Sequence, residues 1–375
     1  MGNVMPAATD LRNPASTSEI PTEGHPKSKP DFGCLVDDSP ALVLAPMEGV
    51  TDAPMRALQG ECGAFTYCVS EFLRVSQSVP PAKVFLHHIP ELRNGSVTPT
   101  GLPVQVQLLG GDAQLMAASA LKAVECGAAA IDINFGCPAP TVNRHDGGAT
   151  LLKYPKRIRE IVAAVRAAVP KPIPVSAKLR LGWDSIDAIH ENATMAAEGG
   201  ASWITIHART RTQGYEPPVY WPHIGLVRKR LGIPVIANGD IWNLADFHRC
   251  RDETGCARFM LGRGALGRPG LAGQVAAELG LRTPSPLEGE GEVSPLRTGG
   301  STSVDWHAEL QKLIRWTSFH HPLTPEQLAK RMKQWLRMGA KCGTFERFDE
   351  IKRLRTAEEI LDAFAVTSSV RSPTA

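Results

Sequence analysis

From residue 41 onward the chain alternates short apolar runs with stretches of helical periodicity. The runs are Ala41–Met47, Phe65–Glu71, Val104–Leu109, Ala128–Asn134, Val175–Leu181, Trp203–Ala208, Val235–Asn238 and Phe259–Leu261. Their length and their small and branched apolar residues predict strands buried on both faces. Between most of them, apolar positions recur at three- and four-residue steps. That spacing predicts helices at about Ala113–Cys126, Pro155–Val169, Ala188–Gly199, Pro222–Leu231, Leu244–Thr254 and Ala265–Leu279. After the second strand only a short helix, Ala82–His88, is in view. Eight strand–helix units predict an α/β fold, a (β/α)8 TIM barrel. A doubly wound open sheet would carry a Gly-rich turn after its first strand. Here that strand ends in Ala45-Pro46-Met47-Glu48-Gly49 instead.

The alternation fails at both ends of the barrel, which is placed at residues 39–281. Residues 1–38 are rich in Pro, Ser and Thr, are mixed in charge, and lack a signal-peptide apolar core; they read as a disordered extension. Residues 282–304 contain TPSPLEGEGEVSPLRTGGSTS and read as a flexible linker or insertion. Helical periodicity resumes over residues 305–368, too short for a second barrel and suited to a small bundle. Residues 369–375 read as a disordered tail.

Composition narrows the setting. The net charge of +3 is uninformative as a total. The eight cysteines are scattered and form no C-x-x-C pair. That pattern fits reduced thiols in a cytoplasmic protein, with neither a disulfide framework nor a metal site. No apolar run approaches the ~20 residues of a membrane helix. A monomer away from membranes is expected.

A barrel gathers its chemistry at the carboxyl ends of its strands. The predicted ends carry Glu48, Glu71, Gln107, Asn134, Lys178 with Arg180, His207 with Arg209, Asn238 with Asp240, and Arg263. Singly, each has a plain reading as a surface pair, a cap or a snorkelling side chain. Asn238-Gly239-Asp240 after the seventh strand and Gly262-Arg263-Gly264-Ala265 after the eighth sit where many barrels bind phosphate. A flavin mononucleotide would suit them: Gln107 on its pyrimidine edge, Lys178 near its N1/O2 charge, His207 on the phosphate side. Cys137 lies between Gly136 and Pro138, just past a strand. It can be a nucleophile, a ligand, a proton donor or an ordinary small residue. In the tail, Lys330, Lys333, Arg337 and Lys341 share one helical face, with Leu328, Met332, Trp335 and Leu336 on another. Such a stripe is either a solvated surface or a grip on a phosphate backbone.

Several stretches run in order through the chain: APMEGVTD (45–52), VQLLG (106–110), DINFGCP (132–138), GGATLL (147–152), AKLRLGW (177–183), IHARTRTQGY (206–215), IANGDIW (236–242), LGRGAL (261–266) and RMKQWL (331–336). With these, residues 41–368 resemble the tRNA-dihydrouridine synthases, most closely the bacterial C subfamily that acts on uridine 16 of the D-loop. The resemblance implies an FMN-holding barrel followed by a helical tRNA-recognition domain, with NADPH or NADH as electron donor. By resemblance, FMN would contact Pro46, Met47, Glu48, Gln107, Lys178, His207, Asn238, Gly239, Asp240, Gly262 and Arg263. Arg74, Asn134, Arg180, Arg331 and Lys333 would contact tRNA. Cys137 would give a proton to C5 of the uracil, opposite the face that receives hydride at C6. An ordinary thiol, with pKa ~8.5, is mostly protonated at neutral pH and suits that role.

Overall fold

The computed structural model describes residues 30, 32, 39–140, 147–281 and 304–368. Nine strands, all parallel, follow in chain order: β1 Ala41–Leu44, β2 Tyr67–Val69, β3 Leu73–Arg74, β4 Val104–Leu109, β5 Ile131–Asn134, β6 Val175–Arg180, β7 Ile204–His207, β8 Val235–Asn238 and β9 Arg258–Leu261. β1 pairs with both β2 and β9, and β2 pairs with β4, so the sheet closes on itself. β3 adds only Leu73↔Leu108 and Arg74↔Leu109 to the far end of β4. The second of the eight barrel positions is therefore one strand in two pieces. The break has a local cause. The Gln107 N–H donates to the Ser70 hydroxyl at 3.0 Å, so a side chain takes the place of a ladder carbonyl.

The two-residue period of a strand sorts its side chains. Leu42 and Leu44 of β1 pack outward with the helices, whereas Ala41 and Val43 share an inner cluster with Tyr67, Ile236 and Met260. Phe32, inside the expected disordered extension, joins that inner cluster edge-on to Tyr67 at 5.3 Å. The other residues of that extension up to 38, apart from residue 30, lie outside the described residues, as do 282–303 and 369–375. The predicted helix Ala265–Leu279 is in fact two, Arg263–Gly267 and Leu271–Glu278. Pro269 falls in the gap, where it withholds an N–H and disfavours helix before it.

The tail forms helices Trp306–His320, Pro325–Lys341, Phe348–Ile351 and Ala357–Ser368. Its core is Trp306, Leu310, Leu313, Met332, Trp335 and Leu336, continuous with Met55, Leu58 and Leu266 of the barrel. Trp335 Nε1 donates to the Leu266 carbonyl at 2.8 Å, and Gln334 Nε2 to that of Gly49 at 2.9 Å. Gly339 permits this packing: a Cβ there would lie 2.3 Å from the Trp306 ring. The long tail helix thus rests on the loops after β1 and β9. No described helix is long and apolar enough to cross a membrane.

Candidate active site

The barrel interior becomes polar toward the carboxyl ends. Gln105 Nε2 donates to Ser176 Oγ at 2.9 Å, and Ser176 donates to Asp132 Oδ1. Gln107 Nε2 donates to Asp132 Oδ2 at 2.7 Å, and its Oε1 accepts from Asn134 Nδ2 at 2.9 Å. Asn134 Oδ1 in turn accepts the backbone N–H groups of Gly136, at 2.9 Å, and Cys137. A continuous chain of side chains therefore runs from the buried floor to the turn that carries Cys137. Burial raises the Asp132 pKa, against the hydrogen bonds of Ser176 and Gln107 and the Lys178 charge.

Above this network opens a cavity of about 760 Å³, within the ordinary range for a small-molecule site. Pro46, Met47, Glu48, Gln107, Asn134, Cys137, Lys178, Arg180, His207, Asn238, Gly239, Asp240, Gly262 and Arg263 all line it. The loop holding Met47 and Glu48 is shaped locally: Met47 N–H donates to Thr51 Oγ1 at 2.7 Å, and Val50 N–H to Glu71 Oε1 at 3.2 Å. Lys178 Nζ donates to Asn238 Oδ1 at 3.2 Å, and Asn238 Nδ2 to the Met260 carbonyl at 2.8 Å.

The turns after β8 and β9 lie close together. A Cβ at Gly264 would stand 2.0 Å from the Ile241 carbonyl oxygen. Gly239 has φ +120°, and a Cβ there would approach the His207 ring at 2.8 Å. Asp240, at φ +49°, accepts from Arg209 through both carboxylate oxygens and from Arg263 at 3.2 Å. Arg263 lies 4.7 Å from the Tyr215 ring and 4.8 Å from that of Trp242. Burial, followed by the charges of Arg180, Lys178, Arg209 and Arg263, pushes the His207 pKa well below its usual value. Neutral His207 can offer one donor and one acceptor. Lys178 falls to about 8, mainly through burial and then the Arg180 charge. So much positive charge around one cradle suits an anion such as phosphate.

Cys137 is half-buried and a free thiol. Burial raises its pKa most and the nearby Glu48 adds to that, while the Ala139 N–H, Arg180 and Arg74 oppose it. The net direction is upward, which keeps the thiol protonated at neutral pH and so able to give a proton.

Of the residues expected at tRNA, Asn134 and Arg180 line the cavity, while Arg74, Arg331 and Lys333 lie outside it. Arg180 is buried and donates to the carbonyls of Gly136 at 2.7 Å, Thr210 at 3.0 Å and Gly214 at 2.7 Å. Arg331 pairs through two nitrogens with Asp52, and Lys333 Nζ donates to the Leu354 carbonyl at 2.8 Å. Each of these three is thus already held by an intramolecular partner. Arg74 is exposed. On the basic tail helix, Lys330, Arg337 and Lys341 are exposed. Sequence reasoning missed Phe72, Tyr215, Trp242 and Met338, which also line the cavity. Tyr215 and Trp242 carried a signal, as aromatic residues in the loops flanking the phosphate-type turns; Met338 carried none.

A closed barrel with a cationic cradle after its last two strands and a protonated thiol at its rim has the layout of an enzyme active site. The model of the dihydrouridine synthase family matches residues 43–337, and the chain belongs to that family. A tRNA-dihydrouridine(16) synthase of Aquipseudomonas alcaligenes is 41% identical over 87% of this chain and 99% of its own length. One from Neisseria meningitidis serogroup B is 42% identical, over 86% and 93%. One from Shewanella oneidensis is 42% identical, over 85% and 96%.

Proposed function

We propose that this chain reduces uridine to 5,6-dihydrouridine in the D-loop of tRNA, at position 16, using FMN as cofactor and NADPH or NADH as electron donor. Family membership supports the reaction, and the shared name of the relatives supports the position. When bound, FMN would supply the hydride for C6 of the uracil. Gln107, Lys178 and Asn238 would hold its ring, with Pro46, Met47 and Glu48 along one side. Gly239, Asp240, Gly262 and Arg263 would take its phosphate end, with His207 beside it. The cavity's size, the close-packed glycine turns and the excess of positive charge fit that group.

Cys137 gives the proton to C5. The observation that carries this reading is the placement of that thiol. It stands on the cavity rim, fixed through its backbone by Asn134, with its pKa pushed up rather than down. Lys178 would place its positive charge beside the bound cofactor's ring. The target base must leave its stack to enter the cavity, at a cost of a few kcal/mol. Phosphate contacts by the exposed Lys330, Arg337 and Lys341 offset it.

The test is a Cys137→Ala variant of the flavin-loaded protein. It should keep its flavin and its reduction by NADPH, and lose about 10²–10⁴-fold in tRNA-dependent reoxidation. Unchanged reoxidation would remove the proton-donor role. Mapping dihydrouridine in tRNA from cells lacking the gene tests the position, with loss confined to position 16 expected.

A further inference from the structure

Away from the cavity, Asp187, His190 and His223 bring one ligand-type atom each to within 4.8 Å of one another. Asp187 directly precedes the helix Ala188–Glu198, and His190 lies in that helix's first turn. His223 lies in the first turn of the helix Trp221–Arg230, which packs beside it on the outside of the barrel. A second observation points the same way. Nδ1 of His190 and Nδ1 of His223 are both sealed from solvent and have no hydrogen-bond partner. Each histidine of the cluster thus keeps a buried ring nitrogen for which a partner is wanted.

We propose that Asp187, His190 and His223 form a divalent transition-metal site of the kind filled by zinc, which clips the helix after β6 to the helix after β7. Two imidazoles and one carboxylate are a donor set for a borderline cation, unlike the all-oxygen shells of calcium or magnesium. Zinc–ligand bonds of ~2.0–2.2 Å put tetrahedral donors roughly 3.4 Å apart. Metal binding would draw the three donors, now within 4.8 Å of one another, closer together. Asp187 is exposed, so the fourth position opens to water. Two helix N-termini nearby disfavour a cation, and the Asp187 charge opposes them. A water bridging the two nitrogens is the competing explanation.

The clip has a purpose in the fold. The segments entering these two helices follow β6 and β7. The second carries Arg211, Thr212, Gly214 and Tyr215, which line the cavity, and the first holds it through the Gly182 and Trp183 carbonyls, which accept the N–H groups of Arg211 and Thr212. A metal there would fix both segments without touching the reacting atoms.

The experiment uses the full-length, flavin-loaded protein, stripped of metal by a chelator and titrated with zinc chloride against a colorimetric zinc indicator. One equivalent should bind at micromolar or lower free zinc, and His190→Ala and His223→Ala should each weaken binding at least tenfold. Zinc should raise the thermal midpoint of the parent protein and leave that of the variants unmoved. Cobalt in place of zinc should give the visible bands of a four-coordinate site, without thiolate charge-transfer absorption. Absence of a stoichiometric site, undiminished binding in either alanine variant, or thiolate bands would overturn the proposal. Should the alanine variants fail to fold, His190→Gln and the cobalt spectrum of the parent protein decide it.

Discussion

The side-chain oxygen of Asn134 accepts the backbone N–H of Cys137, three residues ahead, and so sets where the thiol can point. The same oxygen takes the Gly136 N–H at 2.9 Å, and the amide end is held by Gln107 at 2.9 Å. The turn is thus tied to the barrel floor rather than left to its own flexibility. Removing that acceptor in Asn134→Ala should displace the sulfur by a fraction of an ångström to an ångström. A misplacement of that size costs about 10²-fold. Single-turnover reoxidation by tRNA should slow by that factor while tRNA affinity stays near the parent value. A loss seen only in tRNA affinity would instead assign Asn134 to substrate binding.

Lys178 gives a pH dependence whose sign follows from its pKa. The folded value is about 8 against an ordinary 10.5, lowered mainly by burial. Between these two values the unfolded chain holds a proton that the folded chain lacks, so this residue's contribution to stability rises with pH across that window. Binding an anionic cofactor works in the other direction, because it favours the ammonium form. Affinity for FMN should therefore fall as pH rises through about 8. Titration by flavin fluorescence quenching should show this decline in the parent protein and a flat profile in Lys178→Met. A decline that persists in the variant would assign it to another group.

Much of this architecture was legible in the residues, for physical reasons. Parallel strands buried on both faces read as unbroken apolar runs, so seven of the strand positions stood out directly. The second was read as one run because Ser70, whose hydroxyl splits it, looks like any strand serine. A barrel delivers every strand end to one rim, so Lys178, Asn238 and Arg263 could be grouped before their contacts were known. The partners of the arginines could not. The three carbonyls on Arg180 come from Gly136, Thr210 and Gly214, on two different loops. Periodicity carries no record of that meeting. The basic tail helix shows the same limit. Its charged face was visible, but Lys333 is held by a carbonyl from a neighbouring segment.

Arg331 distinguishes docking from tRNA binding. It pairs with Asp52, whose carboxylate also caps the helix Ala53–Gly60 by accepting the Met55 N–H at 3.2 Å. The pair is partly exposed, so Arg331→Met should cost about 1–2 kcal/mol in chemical denaturation, more than a surface pair and less than an enclosed one. The slope of log affinity for tRNA against log salt should stay unchanged. Lys330→Ala and Arg337→Ala should each reduce that slope by roughly 0.7–0.9, as lost phosphate contacts do. An altered slope in the Arg331 variant would place this residue at the phosphate backbone after all.

Asp240 and Arg209 make the most informative pair in the cradle. The Arg209 side chain is fully buried, while Asp240 keeps 16% of its side-chain surface open toward the cavity. Asp240→Asn keeps the shape and removes the countercharge, leaving a buried guanidinium uncompensated. A fully enclosed pair would lose ~3–5 kcal/mol; with Asp240 facing the cavity, about 2–3 kcal/mol is expected for the cofactor-free protein. A bound phosphate would supply the missing negative charge, so the flavin-loaded variant should lose less. The thermodynamic cycle then requires tighter FMN binding, since an internal anion no longer competes for Arg209 and Arg263. Denaturation with and without FMN, alongside a direct titration, measures all sides of the cycle. Greater destabilisation of the flavin-loaded form, with correspondingly weaker FMN binding, would mean that the carboxylate itself holds the cofactor.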